Sequence, residues 1–441
     1  MKRWLQWLFA SICMFGMLSA APAALTLNVN QGVDKPFTLA LVPFSGQTVT
    51  SSQAPDGVEQ VIDNDLAHSG RFTIKQQGLP ETPNDAESIH WDDWQSDYIL
   101  LGHITQSSGQ GYDVTYQLAT KATHQVISAR RFKDVAPSQF RQLGHQISNY
   151  IFKAVTGHEG YFTSKIAYVN VSDPYDSSHA VYRLIVSDYD GANSQVILEQ
   201  TGNPIASPTW SPDGKSLAFV TYYEGGMAIY RIRINDGYFQ LLSNYPGINS
   251  SPAWSPDGKT LAVALSQGQS DHTDLYLMNL KNQRLYKKFA FSGSSTAPAW
   301  SPDGQKIAFT SNQDGNPQVF MLDMAKGESQ RLSPSNTFQS FDPSFAPNGH
   351  SIVFMQEDNK GDGTHIVKMN LDSHQITQLS HGDMDASPSV APGGQMVLYS
   401  AGGEDQGHLA MVSINGKIRL TLPKHFKGVA RSPSWSPINF N

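Results

Sequence analysis

From Lys165 onward, short alternating runs of apolar and polar residues are broken at close intervals by turn-forming residues, and the pattern repeats. Residues 207–220 read SPTWSPDGKSLAFV, and 251–264 read SPAWSPDGKTLAVA. Residues 297–310 (APAWSPDGQKIAFT), 342–355 (DPSFAPNGHSIVFM) and 387–400 (SPSVAPGGQMVLYS) follow, and 432–437 repeat the opening SPSWSP. The anchor positions Trp210, Trp254, Trp300, Phe345, Val390 and Trp435 are spaced by 44, 46, 45, 45 and 45 residues. A period near 45 identifies a repeated supersecondary unit. Each unit predicts four antiparallel strands, in the third copy over 297–301, 306–312, 318–324 and 329–333. The S-P-D-G tetrapeptide supplies the first turn: Pro presets φ at the second position, Asp suits the third and Gly the fourth. Four strands per unit, repeated radially, make a β-propeller blade.

The first KIAFT-type strand, KIAYV at 165–169, lacks a preceding WSP strand, and the last WSP strand, at Trp435, lacks a following KIAFT strand. The halves complete one another if the ring closes. The expectation is six blades, closed by a C-terminal strand that pairs into the first blade and removes a sheet edge that could aggregate.

Residues 24–160 show no such period and predict a compact α/β domain, with the propeller over 161–441. Residues 38–44 (TLALVPF) read as a buried strand, and 58–68 as a helix with Val58, Val61, Ile62 and Leu66 on one face. Residues 97–105, 112–120 and 125–132 alternate like sheet strands. Pro137 opens a second helix whose inward face is Phe140, Leu143, Ile147, Ile151 and Ala154, with Gly157 as its stop.

The extreme N-terminus predicts the compartment. Lys2 and Arg3 precede an apolar run over 4–18, and small residues follow from Ser19 to Ala24. This is the pattern of a secretory signal peptide, residues 1–23, cleaved between Ala23 and Ala24. The only cysteine of the 441 residues, Cys13, lies within it, so no disulfide, thiolate metal site or Cys nucleophile is expected in the mature chain. No later stretch approaches the roughly 18 apolar residues of a membrane span. Charged residues are 16% and the net charge is −7, which argue against a disordered solvating chain and against a nucleic-acid partner.

Motifs for catalysis are missing. There is no G-x-S-x-G or H-E-x-x-H; GQSDH at 268–272 lacks the second Gly and reads as a loop. His365, His374 and His381 share a blade at spacings that do not require convergence. Asp358, Asp362 and Asp383 suggest a calcium loop, but the bidentate Glu of such loops is lacking and an ordinary hairpin is the better reading. The recurring Asp of S-P-D-G is ascribed to turn chemistry.

Four features occur in a specific order: GVD at 32–34 leading into VPF at 42–44, TGHEGYFTSKIAYV at 156–169, YRLIVSDYDG at 182–191, and the WSPDG blades ending just after a final WSP. Across essentially the whole mature chain this order resembles the TolB family of the Tol-Pal system of Gram-negative bacteria. The fourth and fifth repeats depart from it, reading SFAPNG and SVAPGG, but keep an apolar position and a turn. The resemblance implies an N-terminal α/β domain followed by an all-β six-bladed β-propeller. It also implies a periplasmic, non-catalytic scaffold that needs no cofactor or metal. Such proteins bind the Pal lipoprotein at one mouth of the propeller channel and TolA through the N-terminal segment. They support outer-membrane integrity and constriction at cell division, and some bacteriocins exploit them for import. A monomer is expected.

Carried onto this sequence, the Pal-side loops include Ile205, Ala206, Asn249, Ser250, Thr296, Ala297, Ser340, Phe341, Asp385 and Ala386. The TolA-side segment includes Leu25, Leu27, Val29 and Asp34. Its apolar–polar alternation suits a strand that pairs with a partner's sheet edge, docks on its own domain, or switches between the two. The competing class is a secreted propeller enzyme. A polysaccharide lyase would need His or acid ligands converging in the channel, and a gated peptidase would need a hydrolase domain. An interaction module of another pathway is the third reading.

Overall fold

The computed structural model describes residues 26–29, 35–46, 57–80, 83–176, 178–223, 225–266, 272–333, 339–357 and 363–438. The predicted signal segment 1–23, Leu25, Asp34, the side chains of Leu27 and Val29, residues 268–271, and Asp358 and Asp362 lie outside the described residues.

The N-terminal α/β region is a mixed sheet. Phe37–Leu41 runs parallel to Phe72–Lys75 on one side and to Tyr98–Gln106 on the other. Tyr98–Gln106, Tyr112–Thr120 and Gln125–Val135 continue it as an antiparallel meander. Two helices cover one face, α1 (Val58–His68) and α2 (Phe140–Thr156). Pro137–Gln139 forms a 3₁₀ turn leading into α2, and Gly157 ends α2 in the left-handed region at φ 74°. The buried face of α2 is Phe140, Leu143, Ile147, Ile151 and Phe152. Ala154, expected inward, is exposed, because the buried arc of the helix is turned toward Gly144, His145, Ser148 and Phe152 and leaves position 154 at its margin. The short strand Phe72–Lys75 escaped the sequence reading. Its parallel partner is distant along the chain, so alternation over four residues gives no signal.

The rest of the chain is a ring of six blades. Blade 1 comprises Lys165–Ser172, Val181–Asp188, Gln195–Thr201 and, as its innermost strand, the C-terminal Val429–Trp435. Blades 2 to 5 are contiguous in the chain, over 206–243, 249–289, 295–331 and 340–378. Blade 6 spans 386–421 and carries a fifth strand, Thr26–Val29, on its outer edge. The expected closure by the C-terminus is therefore present.

Repeat chemistry explains both the turns and the links between blades. In blade 2, Ser211 Oγ donates to Asp213 Oδ1 at 2.5 Å, the Ser216 and Lys215 N–H groups close the turn, and Gly214 sits at φ 69°. The same set recurs at Asp257 and Asp303. There the Ser hydroxyl, then the backbone N–H, hold the carboxyls below their ordinary range. The anchor tryptophans tie neighbours together. Trp210 Nε1 donates to Ser434 O, Trp254 to Thr209 O and Trp300 to Ala253 O, each at 3.2 Å. Each such bond contributes about 1 kcal/mol net. At the closure, Trp435 Nε1 donates to Ser164 Oγ at 2.6 Å and the indole packs edge-on against Tyr161.

Candidate functional site

Every innermost strand is paired on one side only; its other edge faces the channel, so a proline there breaks no ladder. The residue before that proline is left-handed in all six blades: Ser207, Ser251, Ala297, Asp342, Ser387 and Ser432, at φ 47° to 52°. Register slips at the same place in each blade. The resulting bulge turns two successive residues toward the axis and costs on the order of 1 kcal/mol per blade. The six residues ring a channel segment of about 160 Å³. Asp342 is the only acid among them, and burial away from bulk water pushes its carboxyl above the ordinary range, against one hydrogen bond from Ser387 Oγ at 3.3 Å.

The N-terminal region sits at the S-P-D-G end of the ring, against blades 1 and 6. A Cβ on Gly393, in the blade 6 turn, would lie 2.4 Å from Glu159 O, and one on Gly70, just past α1, 1.9 Å from Ile418 Cδ1. Among the described residues the N-terminal region does not cover the opposite mouth, and the predicted Pal-side loops surround it. They do not all present side chains there. Ile205, Asn249 and Ser340 are 0% exposed and Asp385 1%. Asn249 holds its own loop, accepting from Ser243 Oγ at 2.6 Å and Tyr245 N at 3.0 Å, and Asp385 accepts from Gly382 N at 2.9 Å. These four shape the rim from beneath. Ala206, Ser250, Thr296, Ala297, Phe341 and Ala386 are half-buried along it.

Sequence reasoning missed the groups that stand out of this rim. Tyr175 is 73% exposed, Met384 54%, Ile248 43% and Tyr222 42%. All four lie at the same end of the ring as the predicted loops. For Tyr175, Ile248 and Met384 the signal in the sequence was an apolar residue inside a loop between strands; Tyr222 lies within the strand Ser216–Tyr223 and gave none.

The segment Thr26–Val29 pairs antiparallel with Ile418–Thr421, Thr26 opposite Thr421 and Val29 opposite Ile418. Docking on its own domain was one expectation; the strand lies instead on the propeller. His365 and His381 lie at the open end of blade 5, whereas His374 occupies a turn at the other end at φ 57°, so the three do not converge.

A second polar constellation lies beneath the N-terminal region. His145, Asp188 and Asp190 bring ligand-type atoms within 4.8 Å of one another. Arg141 already bridges the two carboxylates, at 3.2 Å to Asp188 and 2.5 Å to Asp190, and Lys165 lies 2.8 Å from Asp188. Their charge is met by side chains, so the group is an ion-pair network and not a metal centre.

Comparison with known proteins agrees with this architecture. The TolB beta propeller domain model matches residues 152–439, and the TolB amino-terminal domain model matches 25–126. The Tol-Pal system protein TolB of Francisella tularensis subsp. tularensis (strain WY96-3418) is 38% identical over 433 residues, covering 96% of this chain and 97% of its own. That of Nitrosococcus oceani is 35% identical over 250 residues, 56% of this chain and 55% of its own. The crystal structure of TolB from Acinetobacter baumannii superposes with a TM-score of 0.83 at 29% identity, covering 94% of this chain and all of that one. With two family models in chain order, full-length relatives and the same two-part fold, the chain belongs to the TolB family and is a component of the Tol-Pal system.

Proposed function

We propose that this protein is a periplasmic, non-catalytic scaffold. It grips Pal at the open mouth of the propeller and engages TolA with its N-terminal segment, in support of outer-membrane integrity and constriction at division. Import of bacteriocins would use the same surfaces. The observation that carries the reading is the rim itself: four exposed apolar side chains, Tyr175, Tyr222, Ile248 and Met384, at the mouth opposite the described part of the N-terminal region. Isolated exposed apolar residues mean little, but grouped on one rim they suit a folded partner. Within the rim, Ala206, Ser250, Thr296, Ala297, Phe341 and Ala386 would touch Pal, while Ile205, Asn249, Ser340 and Asp385 would hold the loops.

The edge strand supports the second contact. Among the described residues, four residue pairs join Thr26–Val29 to blade 6. A short added strand is inexpensive to release, since each backbone bond is worth about 1 kcal/mol net. It would exchange between this blade and a sheet edge of TolA.

The test is calorimetric titration of the soluble domain of Pal into the mature protein. One-to-one binding is expected, weakened at least about thirtyfold by Tyr222→Ala or Met384→Ala, a loss of about 2 kcal/mol. Tyr238→Ala, at the opposite end, should leave it unchanged. Removal of residues 24–34 should abolish TolA capture and spare Pal binding. Absence of Pal binding, or equal loss in all three variants, would refute the assignment.

A further inference from the structure

The interface between the N-terminal region and the propeller holds a buried charge network that spans both. From the N-terminal side come Asp65 and His68 of α1 and Arg141 and His145 of α2. From the propeller come Asp188, Tyr189, Asp190 and Lys165. Asp65 is 1% exposed and His145 2%. His145 Nδ1 lies 2.9 Å from Asp65 Oδ2, and Tyr189 donates its hydroxyl to Asp65 Oδ1 at 2.6 Å. Nε2 of the same ring is buried with no hydrogen-bond partner among the described residues, and the ring brings a nitrogen within 4.8 Å of a carboxylate oxygen of both Asp188 and Asp190.

Charge counting decides the state of the ring. The network contains three carboxylates, Asp65, Asp188 and Asp190, against two permanent cations, Arg141 and Lys165. With neutral imidazole the N-terminal side carries no net charge, because Asp65 offsets Arg141, and it faces a propeller side of −1. With imidazolium the N-terminal side becomes +1 and the network is neutral. Buried charge is tolerated when paired. The unfavourable alternative is a neutral ring with its buried Nε2 unpartnered, in a network one positive charge short.

We infer that His145 is a proton-operated latch between the N-terminal region and the propeller, closed when its ring is protonated and loosened when it is not. The inference goes beyond the proposed function and is independent of it.

The remaining groups around the ring act in the same direction or not at all. Burial alone would lower the proton affinity of His145, but the charge and hydrogen bond of Asp65, with Asp190 behind, outweigh it and raise the net value above the ordinary 6.5; Arg141 opposes weakly. Tyr161 and Tyr189, both fully buried, are pushed well above their ordinary range by burial and by Asp65, so they stay neutral. His68 is pushed down, chiefly by burial and against Asp65, Asp190 and Asp63, so it loses its proton at lower pH than His145 does. A group whose affinity is raised on folding contributes below its unfolded value of about 6.5 and loses that contribution as pH rises through the folded value. The latch is therefore closed in mild acid and opens toward alkaline pH.

The test uses the full mature protein. Histidine-selective NMR gives the titration of His145 between about pH 5 and about pH 9, the range of an imidazole switch. Hydrogen exchange, corrected for its intrinsic pH dependence, gives protection of α2 and of the turn at 188–191 over the same range. The expected result is a titration above the ordinary imidazole value, with a loss of protection confined to this interface that follows the same curve. The inner strands of blades 2 to 5 should not respond. His145→Gln should leave the interface loosened and independent of pH. The wild-type curves decide the question even where the Gln variant fails to fold. A ring that stays neutral throughout, or interface protection that ignores its titration, overturns the inference.

Discussion

Trp435 is the residue on which closure of the ring can be tested most directly. It ends the strand that completes blade 1, is 6% exposed, packs edge-on against Tyr161 at 5.6 Å and donates to Ser164 Oγ at 2.6 Å. Its backbone N–H also reaches Ser389 Oγ of blade 6 at 2.8 Å, so one residue joins both sides of the seam. Trp435→Ala removes a buried aromatic and leaves a cavity, a loss of about 4 kcal/mol. For a unit of this size each kcal/mol moves the melting temperature by about 2 °C, which gives a fall of roughly 8 °C. Trp435→Phe keeps the ring contact and gives up the hydrogen bond, a loss of about 1 kcal/mol and roughly 2 °C. Differential scanning calorimetry of the mature protein and both variants reads these shifts. An Ala variant melting within about 1 °C of wild type would show that the seam does not depend on this strand, and the argument for a ring closed by the C-terminus would fail.

Further outcomes follow from single positions. Gly428 sits at φ 107°, and a Cβ there would lie 2.1 Å from Val171 O, so Gly428→Ala should displace the closing strand and cost at least about 3 kcal/mol by urea denaturation. Asp342→Ser should stabilise the protein. Burial raises the Asp342 carboxyl, so the wild type is penalised as pH rises through and above the ordinary value of 3.8, and the gain in melting temperature should be larger near pH 7 than near pH 4. A Ser variant that melts lower at neutral pH would contradict this; four of the five other ring positions already carry Ser at the same φ. Trp254→Phe removes one inter-blade bond, Nε1 to Thr209 O, and should cost about 1 kcal/mol without changing the cooperativity of unfolding measured by calorimetry.

Blade number, strand order within a blade and closure by the C-terminus were fixed by sequence, because their causes are local. S-P-D-G makes the same turn wherever it occurs, and a missing strand at one end with a spare strand at the other leaves one consistent pairing. Helix α1 and the start of α2 were legible for the same reason, from the 3.6-residue spacing of apolar positions and from Pro137. Tertiary structure decided the rest. Thr26–Val29 has an alternation that fits any sheet edge; that it lies on blade 6 depends on Ile418–Thr421 being the outermost strand there. The burial of Ile205, Asn249, Ser340 and Asp385 depends on how each loop enters its innermost strand, which sequence spacing does not reveal. The charge network is the extreme case. Tyr189 and Asp65 are 124 residues apart, and each acid and base of the set reads singly as a solvated surface residue. Only the docking of two separately folded surfaces removes their water and makes one proton on His145 decide the balance of charge between them.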